Sequence, residues 1–417
     1  MAGVLIAASA PLTLAQSAPV QVSFYYGVGG RLGKLVQSMV ATFNRTHPHI
    51  KVVASYEGSY TGGGPEQQKL ELAMAAGAPP AVAQMEVHSI RPFTAAHALV
   101  ALNKFMNRSP HDKVSDFMPG MLLSGEYHGL YYAVPFNRSV PLLYYNTAMF
   151  KAAHISGPPT TWQQLAADAK KLTHGSGASK VYGYEPIVQW WQWESEVLSN
   201  GGKIFNHAGT KALFATPQAE LGTLIQYQLL KDGYARANSG SHMWGDTVAD
   251  FAAGKTAMYD GSAADMGSIQ AEAAPSVKNH WAAALLPGFP NHRLVLPPGG
   301  GNLVLFAKQP KAVINAAWTF VEWLTAAPQQ AYWSEHTGYM PGVKAALNIP
   351  SYKAYLASHP QLRVPIEGLK YQGVMPLNRH YIQVMGYVQE GMTEIFNELK
   401  PVAPVIAQVA KRADGIL

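Results

Sequence analysis

The chain of 417 residues contains no cysteine. This excludes disulfides, thiolate metal sites, cysteine nucleophiles and a lipid anchor on cysteine. Charge is sparse too, at 13% of residues, and the 31 Lys and Arg are scattered among 25 Asp and Glu without forming a run. A formal charge of +6 suits an anionic ligand or surface, but without a basic tract no nucleic-acid binding is expected. Walker A, HExxH, GxSxG and SxxK elements are all missing, as are internal repeats and heptad arrays. Enzyme readings therefore have no specific anchor, and no cofactor is expected. Long hydrophobic runs are absent as well: the apolar stretch from Gly3 to Ala15 is too short to span a bilayer. With small residues around Ala15 and Ala18, it reads as the core and cleavage region of a secretory signal over residues 1–18, although no basic residue precedes Arg31.

What is present is core material: 48% of residues are hydrophobic. A chain this long divides into two lobes of roughly 150 to 200 residues each. Val20 to Tyr26 is β-rich, and Leu32, Leu35, Val36, Met39, Val40 and Phe43 then recur at helical spacing before a second strand, Ile50 to Tyr56. This βαβ opening predicts an α/β fold with parallel strands. A helix over Glu66 to Ala76 and a buried strand, Ala81 to Met85, deliver Glu86 at a strand's carboxyl end, where open α/β sheets collect ligands. Pro135 to Ser139 reads as a connection to the second lobe, and Gly299 to Gly301 as the return. Thr161 and Gln164 form a capping box, and Thr216-Pro217 opens a helix with Leu221, Leu224 and Ile225 inward.

Two chemical signals are weaker. Gly27, Gly29, Gly30 and Gly33 lie between a strand and a helix, but their spacing is wrong for a dinucleotide loop and they read as a turn. His47 and His49 flank Pro48 in what reads as a surface turn, and no metal site is expected. Aromatics say more. Tyr184, Trp190, Trp191 and Trp193 crowd one segment beside Gln189, Gln192 and Glu194, a mixture of flat rings and amides suited to sugars or polyols.

Leu32-Gly33-Lys34, Gly58-Ser59-Tyr60, Glu86, Asn137-x-Ser139, Leu143 to Asn146, Pro159 to Leu165, Gly261-Ser262, Gly299 to Leu303 and His336 to Pro341 occur in a telling order. From about Val20 to Lys400 the chain resembles the extracellular solute-binding proteins of ABC importers, and within them the periplasmic binders of glycerol 3-phosphate and glycerophosphodiesters. That resemblance implies a two-lobed periplasmic-binding-protein fold, with a hinge and a ligand cleft between the lobes. It implies that Tyr60, Glu86, Ser139, Trp190, Ser262, Gly300 and Tyr339 line that cleft, with Tyr26, Asn302 and Arg379 as further candidates. The family's phosphate-neutralising arginine has no clear counterpart, because Arg379 falls out of register and Val384 and Met385 are apolar. A neutral oligosaccharide or polyol is thus an alternative ligand to a polyol phosphate. Lobe 1 is expected to comprise residues 19–136 and 306–350, and lobe 2 residues 137–305 and 351–417. The implied partners are a small-molecule solute and permease subunits, met by a monomeric, non-enzymatic carrier in the periplasm or at the cell surface. A remoter alternative is a glycan-active enzyme using Glu86 and Glu194.

Overall fold

The computed structural model describes residues 18–373 and 378–417. The expected export segment, residues 1–18, lies outside the described residues except for Ala18.

Alternation and helical spacing have the expected result in the opening βαβ unit. Strand β1 (Val20–Tyr26) buries Val22 and Phe24, and helix α1 (Gly30–Thr46) buries Val36, Met39, Val40 and Phe43 on one face. Strand β2 (Ile50–Tyr56) then pairs parallel to β1, Val20 opposite Ile50. Helix α2 (Pro65–Ala75) starts on a proline, which needs no hydrogen bond there, and leads to β3 (Val82–Glu86), buried throughout and also parallel to β1.

Beyond these lie β4 (Ala133–Ser139), β5 (Pro141–Asn146), α3 (Trp162–Leu172), α4 (Trp190–Ser199), α5 (Pro217–Lys231), α6 (Met243–Ala252), β6 (Met258–Ser262), β7 (Trp281–Leu285) and β8 (Gly299–Leu305). Four long helices complete the chain: α7 (Lys311–Thr325), α8 (Ala327–Thr337), α9 (Tyr381–Phe396) and α10 (Val402–Asp414). One sheet has the order β2-β1-β3-β8-β4, and a second, smaller sheet has the order β6-β5-β7. Strand β8 runs antiparallel to both of its neighbours. Helix α7 seals the first sheet, with Phe320 edge-on to Phe24 at 5.3 Å and to Phe43 at 5.0 Å. Helices α9 and α10 pack on α4 and α5 around Trp193, Phe214, Met392 and Ile406. The fold is the two-lobed α/β architecture expected from the sequence.

Several local expectations are corrected. Pro135 to Ser139 is not a loop but the body of β4, because Pro135 sits at a bulge where the ladder to β8 shifts register. The chain therefore changes sheet at Val140, between β4 and β5. Gly299 to Gly301 is likewise strand, so residues 299–305 belong to the larger sheet and the return precedes Gly299. Residues 350–358, expected mostly in lobe 2, pack on α8, whereas residues 360–368 pack on β7. Leu224 is 48% exposed rather than inward. Helix α5 instead turns Gly222, Thr223 and Gln226 inward, because the buried Glu196 carboxylate of α4 needs donors: Gln226 Nε2 supplies one at 2.6 Å and Thr223 Oγ1 another at 3.4 Å. Thr161 accepts from Gln164 N at 3.2 Å, but the Gln164 side chain reaches back to Thr160 N, leaving half a capping box.

Candidate functional site

The ends of β3, β4 and β6 and the start of β8 meet the first turn of α4 around a cavity of about 280 Å³. Tyr60, Glu86, Ser139, Trp190, Ser262, Gly300 and Tyr339 all line it. Residues up to 279 positions apart in sequence, Tyr60 and Tyr339, thus share one crevice between the two sheets.

Each wall has a local cause. Glu86 ends β3, and its Oε2 accepts from Gly62 N at 2.9 Å in the loop before α2. Tyr60 is fixed through its hydroxyl, which accepts from Asn137 Nδ2 at 2.8 Å. Asn137 Oδ1 in turn accepts from Gln84 Nε2, also at 2.8 Å. Ser139 and Ser262 end strands from different sheets, and their hydroxyl oxygens lie 2.6 Å apart. They also accept from the main chain, Ser139 Oγ from Ala263 N and Ser262 Oγ from Ala264 N. Gly300 has φ +84, and a side chain there would strike the main-chain oxygen of Asn137, so only glycine brings β8 this close to β4. Gly299 lies against the ring of Trp191, whose Nε1 donates to Pro298 O at 3.2 Å.

Burial dominates the electrostatics. The Glu86 carboxyl is pushed up to about 8 by burial, against the pull of the Gly62 and Gly63 amides. Asp265, which the sequence reading did not single out, is pushed up to about 6 by burial. It is partly offset by hydrogen bonds from Ser262 N at 2.8 Å, from Trp244 Nε1 at 2.9 Å and from the Tyr259 hydroxyl. His88 also lines the cavity, and burial, aided by the nearby Arg138 guanidinium, lowers it to about 3. Its ring packs between Tyr381, stacked at 5.5 Å, and the edge of Trp190 at 5.0 Å. Among the described residues no Lys or Arg lines the cavity.

Three candidates lie elsewhere. Tyr26 packs on Phe24 and Tyr56 and accepts from Gln37 Nε2 at 2.8 Å. Asn302 is committed to Arg138 and Ser124 beneath the sheet. Arg379 lines a different, larger cavity of about 780 Å³ with Arg91, Lys203, His207 and His380. Nor do Glu86 and Glu194 form a pair, since Glu194 does not line the cavity and its Oε2 accepts from the Tyr381 hydroxyl at 2.6 Å. Conversely, Trp191, Trp244, Thr61 and Ser268 line the cavity. Only Trp191 carried a signal in the sequence, as part of its aromatic cluster.

Two sheets of this topology with a polar, aromatic-lined cavity between them define a solute-binding class of protein. The family model for bacterial extracellular solute-binding protein matches residues 28–331, and the chain belongs to that family. A curated relative, the sn-glycerol-3-phosphate-binding periplasmic protein UgpB of Pectobacterium atrosepticum, is 24% identical over 437 residues, 98% of this chain and 94% of its own. The crystal structure of UgpB from Mycobacterium tuberculosis in complex with glycerophosphocholine superposes with a TM-score of 0.84 at 23% identity, covering 96% of this chain and 98% of that one. Maltose-bound MalE3 of T. maritima gives the same TM-score at 21% identity, covering 95% of this chain and all of that one.

Proposed function

We propose that this protein captures a small, hydroxyl-rich solute without net negative charge and hands it, unaltered, to the permease subunits of an ABC importer. It does so as a monomer in the periplasm or at the cell surface. The lining of the cavity is the observation that carries the ligand class: Glu86 and Asp265 face it, and among the described residues no cation does. Carboxylates accept hydrogen bonds from sugar or polyol hydroxyls, while the Trp190, Trp191 and Trp244 rings suit the C–H faces of such solutes. A phosphate dianion would find no cationic partner there and would hold the Glu86 and Asp265 carboxyls in their protonated forms. The volume of about 280 Å³ lies just below the usual range of about 300–1,000 Å³ for ligand pockets, which favours a compact solute over a long oligosaccharide.

A zwitterionic glycerophosphodiester is a second reading, favoured by the same lining. Ser139, Ser262, Ser268 and the two tyrosine hydroxyls suit a phosphodiester monoanion, and aromatic faces beside carboxylates suit a quaternary ammonium. The UgpB structure from Mycobacterium tuberculosis, solved with glycerophosphocholine, supports this second reading, whereas the curated relatives are named for sn-glycerol 3-phosphate. Closure of the lobes over the solute stabilises the form that a permease reads.

Titration calorimetry at pH 7.5 with ribitol, maltose, glycerophosphocholine and sn-glycerol 3-phosphate tests this reading. Binding of a neutral or zwitterionic compound, with sn-glycerol 3-phosphate at least tenfold weaker, is the expected result. Tighter binding of sn-glycerol 3-phosphate than of the other three overturns it.

A further inference from the structure

Away from the solute cavity, three side chains of metal-binding type converge where the loop before Phe117 meets the end of α7. His111, Asp112 and Glu322 each bring one ligand atom to within 4.8 Å of the other two. We infer that this cluster is a site for a divalent transition-metal ion such as Zn²⁺ or Mn²⁺, clipping the 109–116 loop to the last turn of α7.

The surroundings favour an ion over a chance cluster. Asp112 is fully buried; Thr325 Oγ1 donates to its Oδ2 at 2.7 Å, and Oδ1 has no partner. A buried carboxylate oxygen without a donor is costly, and a cation removes that cost. No Lys or Arg forms an ion pair with Asp112 or Glu322 among the described residues. The carbonyl end of α7 adds negative potential to the same spot.

The orienting contacts are those a metal site uses. His111 Nε2 lies 3.2 Å from the main-chain oxygen of Glu322; with Nε2 donating, Nδ1 keeps a lone pair for the ion. Thr325 holds the Asp112 carboxylate in the same way. Ser109 Oγ accepts from the amides of His111 and Asp112, at 3.3 and 3.0 Å, so the turn is fixed before any ion arrives. One imidazole nitrogen with two carboxylates suits Zn²⁺ or Mn²⁺ better than the all-oxygen preference of Ca²⁺ or Mg²⁺. The sequence reading expected no metal site, because the three ligands come from a loop and a helix about 210 positions apart.

The test uses the full chain, stripped of metal, titrated calorimetrically with ZnCl₂ and separately with MnCl₂, CaCl₂ and MgCl₂. Saturable 1:1 binding of Zn²⁺ or Mn²⁺, with Ca²⁺ and Mg²⁺ at least tenfold weaker, is expected. His111→Gln and Glu322→Gln alter partly exposed residues and keep the fold; each should weaken Zn²⁺ at least tenfold, while leaving solute affinity unchanged. Asp112→Asn should do the same and abolish any loss of melting temperature caused by EDTA in the unaltered protein. No saturable binding, or equal Zn²⁺ affinity in the His111→Gln/Glu322→Gln double variant, overturns the inference. The latter outcome would assign the ion to adventitious sites among the chain's other histidines.

Discussion

The two walls of the cavity are built on different principles. On the side of the larger sheet, Glu86 and Tyr60 are held by hydrogen bonds running from Gly27 N through Gln84 and Asn137, and by the Gly62 amide. On the side of the smaller sheet the dominant groups are ring faces: Trp191 stacks on Trp244 at 6.4 Å, and Trp190 meets Tyr381 edge-on at 5.9 Å. On the proposed reading, the first wall fixes polar atoms in place and so sets which hydroxyl pattern fits. The second covers apolar surface, and so tolerates variety.

If that division holds, the largest loss follows from Glu86→Ala. Two charge-assisted hydrogen bonds from a solute to the ionised carboxylate are worth roughly 1.5 to 3 kcal/mol each, so affinity at pH 9, above the Glu86 value of about 8, should fall by about 100-fold or more, read by titration calorimetry. The variant should nevertheless melt no lower than the parent, because it removes a carboxyl that burial has already pushed up to about 8. A collapse in melting temperature would show that Glu86 serves the Gly62 loop more than the solute.

A pH series separates the walls next. Burial, the largest cause in each case, raises Glu66 to about 9, Glu86 and Glu196 to about 8, and Glu194 and Asp260 to about 7. Between the unfolded values near 4.5 or below and these folded values, the folded chain holds protons that the unfolded chain has released. Stability is therefore fullest at the acid end and declines as pH rises through the folded values. The melting temperature of the solute-free protein should fall steadily from pH 5 to pH 9. Solute affinity should move the other way, since hydroxyls donating to Glu86 favour its ionised form and bind better as pH approaches 8. An affinity that falls with pH would instead mark an anionic solute.

The first wall was also the more legible in the sequence. Glu86 follows a short apolar strand, and Ser139 and Gly300 lie in local patterns that survive as motifs. The second wall was half hidden. Trp190 and Trp191 stood out as a cluster, but Trp244 and Asp265 reach the cavity from α6 and from the turn after β6, and no local period marks either. The lobe crossings failed for a related reason: proline and glycine punctuate chains by default, yet Pro135 is absorbed by a bulge, and the glycines of β8 are required by what packs on them. Arg379 was a candidate only because it falls near the place where the resemblance expects an arginine; it precedes α9 and lines a different cavity.

Trp244→Phe gives the smallest and most discriminating effect. The ring is half-buried, and its Nε1 donates to Asp265 Oδ1 at 2.9 Å. Phenylalanine keeps most of the face but loses that donor, so Asp265, now about 6, should titrate higher still. If the second wall acts by covering apolar surface, affinity at pH 8 should drop by less than about tenfold, the scale of one hydrogen bond. The loss should widen toward pH 6, where the unsupported carboxyl takes up its proton first. Calorimetry at both pH values reads the difference. A uniform loss of 100-fold or more would mean that Asp265 contacts the solute as strongly as Glu86 does, and that both walls fix hydroxyls.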